Sequence, residues 1–183
     1  MRFRFLIPLC CLVVVLTEAQ PAKPESASRP TSSNIQKLIG AWQLVSVETV
    51  GPHGEVTYPY YGKHPEGLLV YDRSGWMSVQ IVSDPKPDAP SIDSRSAILA
   101  ATPQQKAAIV EGYYAYFGKW TVDPLGPTVT HHLRESLYPG ERGEEFVRKF
   151  SIEGDLLTLI AKVHEAGEDH QRRLTWQRIP PPR

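Results

Sequence analysis

The stretch from Gly112 to Pro139 constrains the fold most, because two strand-forming runs lie on either side of a tight turn. The runs are rich in Tyr, Phe, Val and Thr, and the turn reads Asp-Pro-Leu-Gly-Pro, which together predict a β-hairpin. Side chains alternate between the two faces of a strand, so every second residue shares a face. One face of the second run carries Val129, His131, Leu133 and Glu135. A histidine and a carboxylate among aliphatic side chains predict a β-walled cavity with a few polar groups inside.

Short strand patterns separated by turns continue through the rest of the chain. Eight or nine such runs are punctuated by compact turns, including residues 72–75 and 153–154. Neighbouring runs of this kind form a meander, which closes into a barrel because closure removes the exposed edges. We therefore expect an all-β fold consisting of a single antiparallel up-and-down β-barrel of about 8–10 strands.

One segment interrupts the strand pattern. Residues 94–112 are predicted to be helical, with Thr102 as the N-cap, Pro103 at the first helical position and Gln105 three residues past the cap. A helical insertion between two strands would cover one end of the barrel, either as a plug that fills it or as a lid.

Residues 1–19 have the features of a secretory signal peptide. A short basic start precedes an apolar run at residues 5–16, and Thr17 and Ala19 offer a cleavage site before Gln20. The apolar run is too short to span a membrane, so we expect an exported protein, periplasmic or secreted, with no membrane insertion after cleavage. Lipoprotein anchoring through Cys10 fits poorly, because Leu9 stands where a small residue should precede the thiol.

The rest of the chain divides into three parts. Residues 20–33 are rich in Pro, Ser and Ala and are expected to form a disordered tether. Residues 34–179 are expected to form one barrel domain, and residues 180–183 a disordered tail. Both cysteines lie in the predicted signal peptide, so the mature chain would contain neither a disulfide nor a cysteine-ligated metal.

The charge balance argues against a polyanionic partner. Removing Arg2, Arg4 and Glu18 with the leader leaves 18 basic and 19 acidic residues from 20 of each. This near-neutral balance has no basic stripe, and therefore gives no support for binding nucleic acid. The sequence does not indicate the oligomeric state.

Several motifs, in order, resemble the lipocalin-like domain family. The start Gly40-Ala41-Trp42 and the final-strand segment LTWQR are accompanied by GLLVYDRSGWMSVQ, GYYAYFGKWTVD and TVTHHLRESLYP. The resemblance implies a calycin-type barrel with an internal pocket. It also implies that Arg178 of the last strand lies across Trp42 of the first and closes the bottom of the barrel. The resemblance implies no particular activity.

Strand alternation places a set of polar side chains in the barrel interior. If Trp42 faces inward, Glu48 shares its face, and Gln80 points the same way from a later strand. The candidate ligand-binding residues are Glu48, Gln80, Tyr114, Tyr116, His131, Glu135 and Arg148. Burying such groups unpaired costs about a few kcal/mol each. We therefore expect them to pair or to face a solvated cavity, with Arg148 and Glu135 as the first pair.

Each candidate also has a purely structural interpretation. His131 is either a hydrogen-bonded core histidine or an acid–base group in the pocket. Tyr114 and Tyr116 either pack the barrel or contact a ligand. His132 points to the opposite face from His131, so the two histidines do not form a metal pair. We expect neither a metal nor a cofactor.

Two functions fit this sequence. The first is an exported protein that binds a small apolar or amphipathic molecule in the barrel interior. The alternative is a cofactor-free enzyme of the isomerase, cyclase or hydratase type, with His131 or Glu135 as acid or base and Tyr116 or Arg148 holding an oxygen. A third possibility is a filled barrel that acts through its surface. No nucleophile motif or phosphate-binding loop is present in the sequence.

Overall fold

Alternating apolar and polar residues form nine strands in this protein, whose structure is a computed structural model that describes residues 30–87, 92–165 and 167–181. The strands are β1 (Gly40–Val50), β2 (Val56–Thr57), β3 (Glu66–Tyr71), β4 (Trp76–Val82), β5 (Tyr113–Val122), β6 (Thr128–Ser136), β7 (Glu145–Glu153), β8 (Leu156–Glu165) and β9 (Glu168–Arg178). The helices are α1 (Pro30–Leu38), α2 (Arg95–Ala100) and α3 (Pro103–Glu111), with a 3₁₀ turn at Pro139–Glu141. The predicted signal peptide and residues 20–29 of the tether lie outside the described residues.

The strands form one antiparallel sheet that closes on itself. Their order is β2-β1-β3-β4-β5-β6-β7-β8-β9, and β1 also pairs with β9 from Trp42 opposite Arg178 to Val50 opposite Gln171. Eight strands therefore make an up-and-down barrel, and the short β2 lies beside β1. The predicted fold class is confirmed, and the predicted hairpin is β5 and β6.

Helix α1 precedes the first strand of the barrel. Its bounds overlap the last residues of the predicted tether. The helix ends at Leu38, which is completely buried. No helix in the described ranges is both long enough and apolar enough to cross a membrane.

Trp42, near the start of β1, contacts Arg178, the last residue of β9. The Trp42 indole is completely buried, and its Nε1 donates to the Leu38 carbonyl oxygen at 2.9 Å. The Arg178 guanidinium carbon lies 4.0 Å from the centroid of the Trp42 ring. Arg178 Nη1 also donates to the Ile39 carbonyl oxygen at 3.1 Å. These contacts join helix α1 to the first and last strands and close one end of the barrel.

A bulge in β1 reverses the predicted orientation of Glu48. The pairing of β1 with β9 shifts between Leu44 and Ser46. Val47 and Thr49 beyond the shift are buried, so they occupy the inward positions. The interior position predicted for Glu48 is therefore wrong, because a bulge exchanges the two faces of every residue after it.

The interior position predicted for Gln80 is wrong for a different reason. The buried set on β4 is Met77, Val79 and Ile81, which alternates with Gln80 and with Trp76. The aliphatic set buries more apolar surface than a set containing a glutamine, so it takes the core face. Trp76 is accordingly 42% exposed.

A second bulge places Glu135 outside the barrel. The pairing of β5 with β6 shifts at Gly118, so Leu133 lies opposite Gly118 and Glu135 lies opposite the exposed Phe117. Only glycine fits there, since a Cβ on Gly118 would approach the His132 carbonyl oxygen to 2.0 Å. The interior position predicted for Glu135 is therefore also wrong.

The helical insertion follows β4 as predicted. Thr102 caps α3, with its Oγ1 accepting from Gln105 N at 3.3 Å and its own N–H donating to Gln105 Oε1 at 3.0 Å. Neither α2 nor α3 contains a buried residue, so the two helices do not fill the end of the barrel as a plug would. Glu111 at the end of α3 lies on the edge of the internal cavity.

Candidate functional site

The barrel contains an open cavity of about 1220 Å³. Its apolar part is formed by inward residues of five strands, which are Val47, Ile81, Phe146, Ala161 and Leu174. The volume is far more than a few water molecules need and exceeds that of an ordinary pocket for a drug-sized ligand. The predicted internal pocket is thus present.

Aromatic rings form one wall of the cavity. The ring of Tyr114 stacks on that of Tyr138, with a centroid separation of 5.1 Å and an interplanar angle of 28°. The centroid of the Tyr61 ring lies 6.5 Å from that of the Tyr114 ring. Burial raises the pKa of the Tyr61 phenol and that of the Tyr114 phenol well above the ordinary value. These phenols are therefore neutral at physiological pH, and they offer flat apolar faces with hydroxyl groups at the edges.

Two carboxylates at the cavity are held by neighbouring side chains. Glu141 Oε2 accepts hydrogen bonds from the Tyr114 hydroxyl at 2.7 Å and from Ser136 Oγ at 2.6 Å. Glu165 accepts from Arg172 Nη2 at 2.8 and 2.9 Å. Both carboxylates therefore have protein partners that satisfy much of their hydrogen-bonding capacity.

His131 belongs to a buried hydrogen-bonded group behind this wall. Its Nε2 lies 2.6 Å from the Tyr71 hydroxyl, and its Nδ1 lies 2.9 Å from the Tyr116 hydroxyl. Burial lowers the pKa of His131 well below the ordinary value, and the charges of Arg148 and His132 lower it further. The imidazole is therefore neutral, so one nitrogen donates to a tyrosine oxygen and the other accepts from a tyrosine hydroxyl.

Sequence reasoning missed Tyr71 as a member of this group. Tyr71 is 1% exposed, its ring lies 4.8 Å from the Trp120 ring, and burial raises the pKa of its phenol well above the ordinary value. Tyr71 is two residues from the buried Leu69 on β3 and so shares its face, which is the sequence signal for an interior position. Its hydrogen bond to His131 joins β3 to β6, which are distant in sequence, so the pattern along β3 does not predict it.

The predicted site residues separate into three groups. Tyr114 and Arg148 line the cavity. Tyr116 and His131 are buried but do not line it. The outward residues are Glu48, Gln80 and Glu135.

The predicted ion pair between Arg148 and Glu135 is not formed. Glu135 instead pairs with Arg142, whose Nε lies 2.7 Å from Oε2. Glu48 on the outer surface accepts from Arg173 Nε at 2.7 Å. The β6 bulge is the cause of the first change, because it turns Glu135 away from the face that carries Arg148.

His132 lies on the outer surface, opposite in direction to His131. Its Nδ1 lies 2.9 Å from Glu145 Oε1, and its Nε2 lies 2.8 Å from Thr121 Oγ1. Within the part of the chain that the structure describes, three or more His, Cys, Asp or Glu side chains do not cluster in a way that could hold a metal ion.

The cavity also opens sideways between β7 and β8. The pairing of these strands ends at Lys149 opposite Ile160. Beyond that point residues 145–148 pair only with β6, and residues 161–165 pair only with β9. Lys149 and Lys162, which point outward, nevertheless border the cavity. The interior therefore reaches the outer surface through this gap.

Comparison with known proteins agrees with this architecture. The sequence profile of the lipocalin-like domain matches residues 39–179. The chain is also 30% identical over 113 residues to the 4'-hydroxy-3'-methoxypropiophenone carrier protein ppsC of Aspergillus oryzae, an alignment that covers 57% of this chain and 97% of that protein. The match spans most of the barrel, so this chain belongs to the lipocalin-like domain family.

Proposed function

We propose that this protein is an exported carrier that binds a small apolar or amphipathic molecule, preferably one with an aromatic body, inside the barrel. The observation that carries the proposal is the open cavity of about 1220 Å³ with an aromatic wall. Pockets that enclose small molecules are usually concave and mostly apolar, with a few placed polar groups. This cavity has that character.

The tyrosine wall supports an aromatic ligand. The stacked rings of Tyr114 and Tyr138 present flat faces on which a planar ring can pack. Glu141 fixes the Tyr114 hydroxyl, so this part of the wall is pre-organised before a ligand arrives. A ligand with one or two oxygen substituents could bond at the hydroxyl edges while its ring stays on the apolar faces.

The relative from Aspergillus oryzae supports the same class of ligand. Its name describes it as a carrier of a hydroxy- and methoxy-substituted aromatic ketone. A molecule of that type is small, planar and amphipathic. It therefore makes a suitable first probe for this chain.

Geometry supports the carrier more than the enzyme alternative. A general acid or base must come within hydrogen-bonding distance of the reacting atoms. His131 is 0% exposed, and each of its ring nitrogens faces a tyrosine hydroxyl. Glu135 lies on the outside, paired with Arg142. Neither group borders the cavity.

A ligand titration with a cavity-filling variant tests the carrier proposal. We expect saturable binding of 4'-hydroxy-3'-methoxypropiophenone or of 2-naphthol to the wild-type chain, measured by calorimetry. Ala161 is buried and lines the cavity, so Ala161→Trp should fill the space and weaken binding by at least about tenfold. Ser151→Trp places the same ring on an exposed position of β7 and should bind like the wild type.

Two results would contradict the carrier proposal. One is the absence of saturable binding to the folded wild-type chain. The other is unchanged affinity in Ala161→Trp, with circular dichroism showing that the variant is folded. If Ala161→Trp does not fold, Ala161→Phe provides a smaller filling residue for the same comparison.

The export part of the proposal depends on the N-terminal segment. Residues 1–19, which lie outside the described residues, have the basic start and the apolar run of a signal peptide. We expect the mature chain from its own host to begin at Gln20, as measured by N-terminal sequencing of the protein outside the cytoplasm. A cytoplasmic protein that retains residues 1–19 would contradict export but not ligand binding.

A further inference from the structure

We propose that this carrier selects amphipathic ligands with a carboxylate group, which Arg148 binds where the cavity opens between β7 and β8. The inference rests on the proposed carrier function and adds to it the chemical class of the ligand. The aromatic body would lie against the tyrosine wall, and the carboxylate would lie at the gap.

The gap provides a polar position inside an otherwise apolar cavity. Strands β7 and β8 separate beyond Lys149 and Ile160, so the backbone groups that face the gap have no partner strand there. Arg148 lies beside this point, in the part of β7 that pairs only with β6. Its side chain lines the cavity, with the guanidinium carbon 5.2 Å from the centroid of the Phe146 ring. A cation is thus held between the apolar interior and the opening.

Three cations near the gap form no ion pair with a carboxylate of the described residues. Of the carboxylates that border the cavity, Glu141, Glu145 and Glu165 each have a protein partner. Among the described residues, no carboxylate oxygen lies within 4.0 Å of the cationic nitrogens of Arg148, Lys149 or Lys162. The remaining cavity carboxylate is Glu111, which belongs to the helical insertion.

The two lysines add to the attraction of an anion. Lys149 and Lys162 are exposed residues of β7 and β8, and both border the cavity beside the gap. The positive charges of both lysines would attract an anion to the gap. A guanidinium binds a carboxylate through two parallel hydrogen bonds, which gives Arg148 the main recognition role.

The positive charge of Arg148 also acts on two buried residues behind the cavity wall, His131 and Tyr116. Its positive charge lowers the pKa of His131 and partly offsets the rise that burial causes in the pKa of Tyr116. The Phe146 ring that Arg148 contacts lies 5.7 Å from the Tyr116 ring, which in turn lies 5.5 Å from the Tyr114 ring of the cavity wall. A carboxylate at Arg148 would therefore lie deep enough for its attached ring to reach the tyrosine wall.

A matched pair of probes tests the inference. We expect the wild-type chain at pH 7.5 and low salt to bind 2-naphthoate at least about tenfold more tightly than neutral 2-naphthamide. Arg148→Gln should abolish this preference, so that the variant binds the two probes with affinities within a factor of about three of each other. Arg134→Gln removes an exposed arginine from β6 and should retain the full preference. If Arg148→Gln does not fold, Arg148→Met keeps the apolar stem and serves in its place.

The possible outcomes separate this inference from the carrier proposal. If the wild-type chain binds both probes with equal affinity, the role of Arg148 is overturned and the carrier proposal stands. A preference for 2-naphthoate that survives in the Arg148 variants would also overturn it. Failure of the folded wild-type chain to bind either probe would overturn both.

Discussion

Replacing Trp42 with alanine is expected to lower the free energy of unfolding by about 3–5 kcal/mol. The indole is completely buried, donates to the Leu38 carbonyl oxygen and carries the Arg178 guanidinium on its face. The substitution would remove a large apolar side chain and leave a cavity between helix α1 and the barrel. It would also leave Arg178 without its aromatic partner. Urea denaturation followed by circular dichroism measures the loss.

A matched substitution separates burial from the removal of a tryptophan. Trp76→Ala removes the same side chain from the outer face, where it is 42% exposed, and should cost about 1 kcal/mol. Trp42 does not line the cavity, so Trp42→Ala should retain binding of 2-naphthol as long as it is folded. Loss of binding at full stability would contradict the structural role given to Trp42.

Replacing His131 with phenylalanine is expected to destabilise the protein by about 2–5 kcal/mol, because two buried hydroxyl groups lose their partner at once. Tyr71 and Tyr116 are 1% and 4% exposed, so water cannot readily replace the imidazole. His132→Phe alters the neighbouring, outward histidine and should have a much smaller effect. The triple variant that also carries Tyr71→Phe and Tyr116→Phe should regain part of the loss, because no hydroxyl is left unpaired.

The buried imidazole also makes stability depend on pH. Burial lowers the pKa of His131 in the folded chain, whereas the unfolded chain has the ordinary value of about 6.5. Below about pH 6.5 the unfolded chain therefore binds a proton that the folded chain does not, and stability falls as the pH falls. The fall contributed by His131 approaches about 1.4 kcal/mol per pH unit until the folded pKa is reached.

The pH dependence can be measured against the His131→Phe variant. We expect the difference in unfolding free energy between the two proteins to shrink between about pH 7.5 and 5.5, because only the wild type has this proton linkage. Unfolding curves in urea at several pH values provide the comparison. Parallel pH profiles for the two proteins would mean that His131 is not held neutral by burial.

The overall fold could be predicted because its main determinants are local. Alternation with a period of two, interrupted by short turns, indicates antiparallel strands wherever it occurs. The segment from Gly112 to Pro139 shows this clearly and forms β5 and β6. Closure of the barrel follows from the need to pair the edge strands, which β1 and β9 do.

The interior surface could be predicted only in part, because two bulges change which residues face inward. The shift after Leu44 turns Glu48 outward, and the shift at Gly118 turns Glu135 outward. Each bulge depends on how a strand fits its neighbour, so alternation along one strand does not reveal it. Tyr114 and Arg148 border the cavity because no bulge intervenes between them and the core residues of their own strands.

Other parts of the cavity come from segments distant in sequence. Tyr60 and Tyr61 lie before β3, Tyr138 follows β6, and all three border the same space as Tyr114. Nothing in the local pattern of a loop specifies which strand face it will cover. The gap between β7 and β8 is likewise a property of pairing that is seen only in three dimensions.

The central claim is that the barrel interior holds a small molecule. Native mass spectrometry tests it most directly, using the chain purified from its own host and then exposed to an extract of that host's small molecules. We predict one added small-molecule mass on the wild-type chain, released on denaturation and absent from Ala161→Trp. A mass equal to that of the polypeptide alone under both conditions, or the same added mass on Ala161→Trp, would contradict the account.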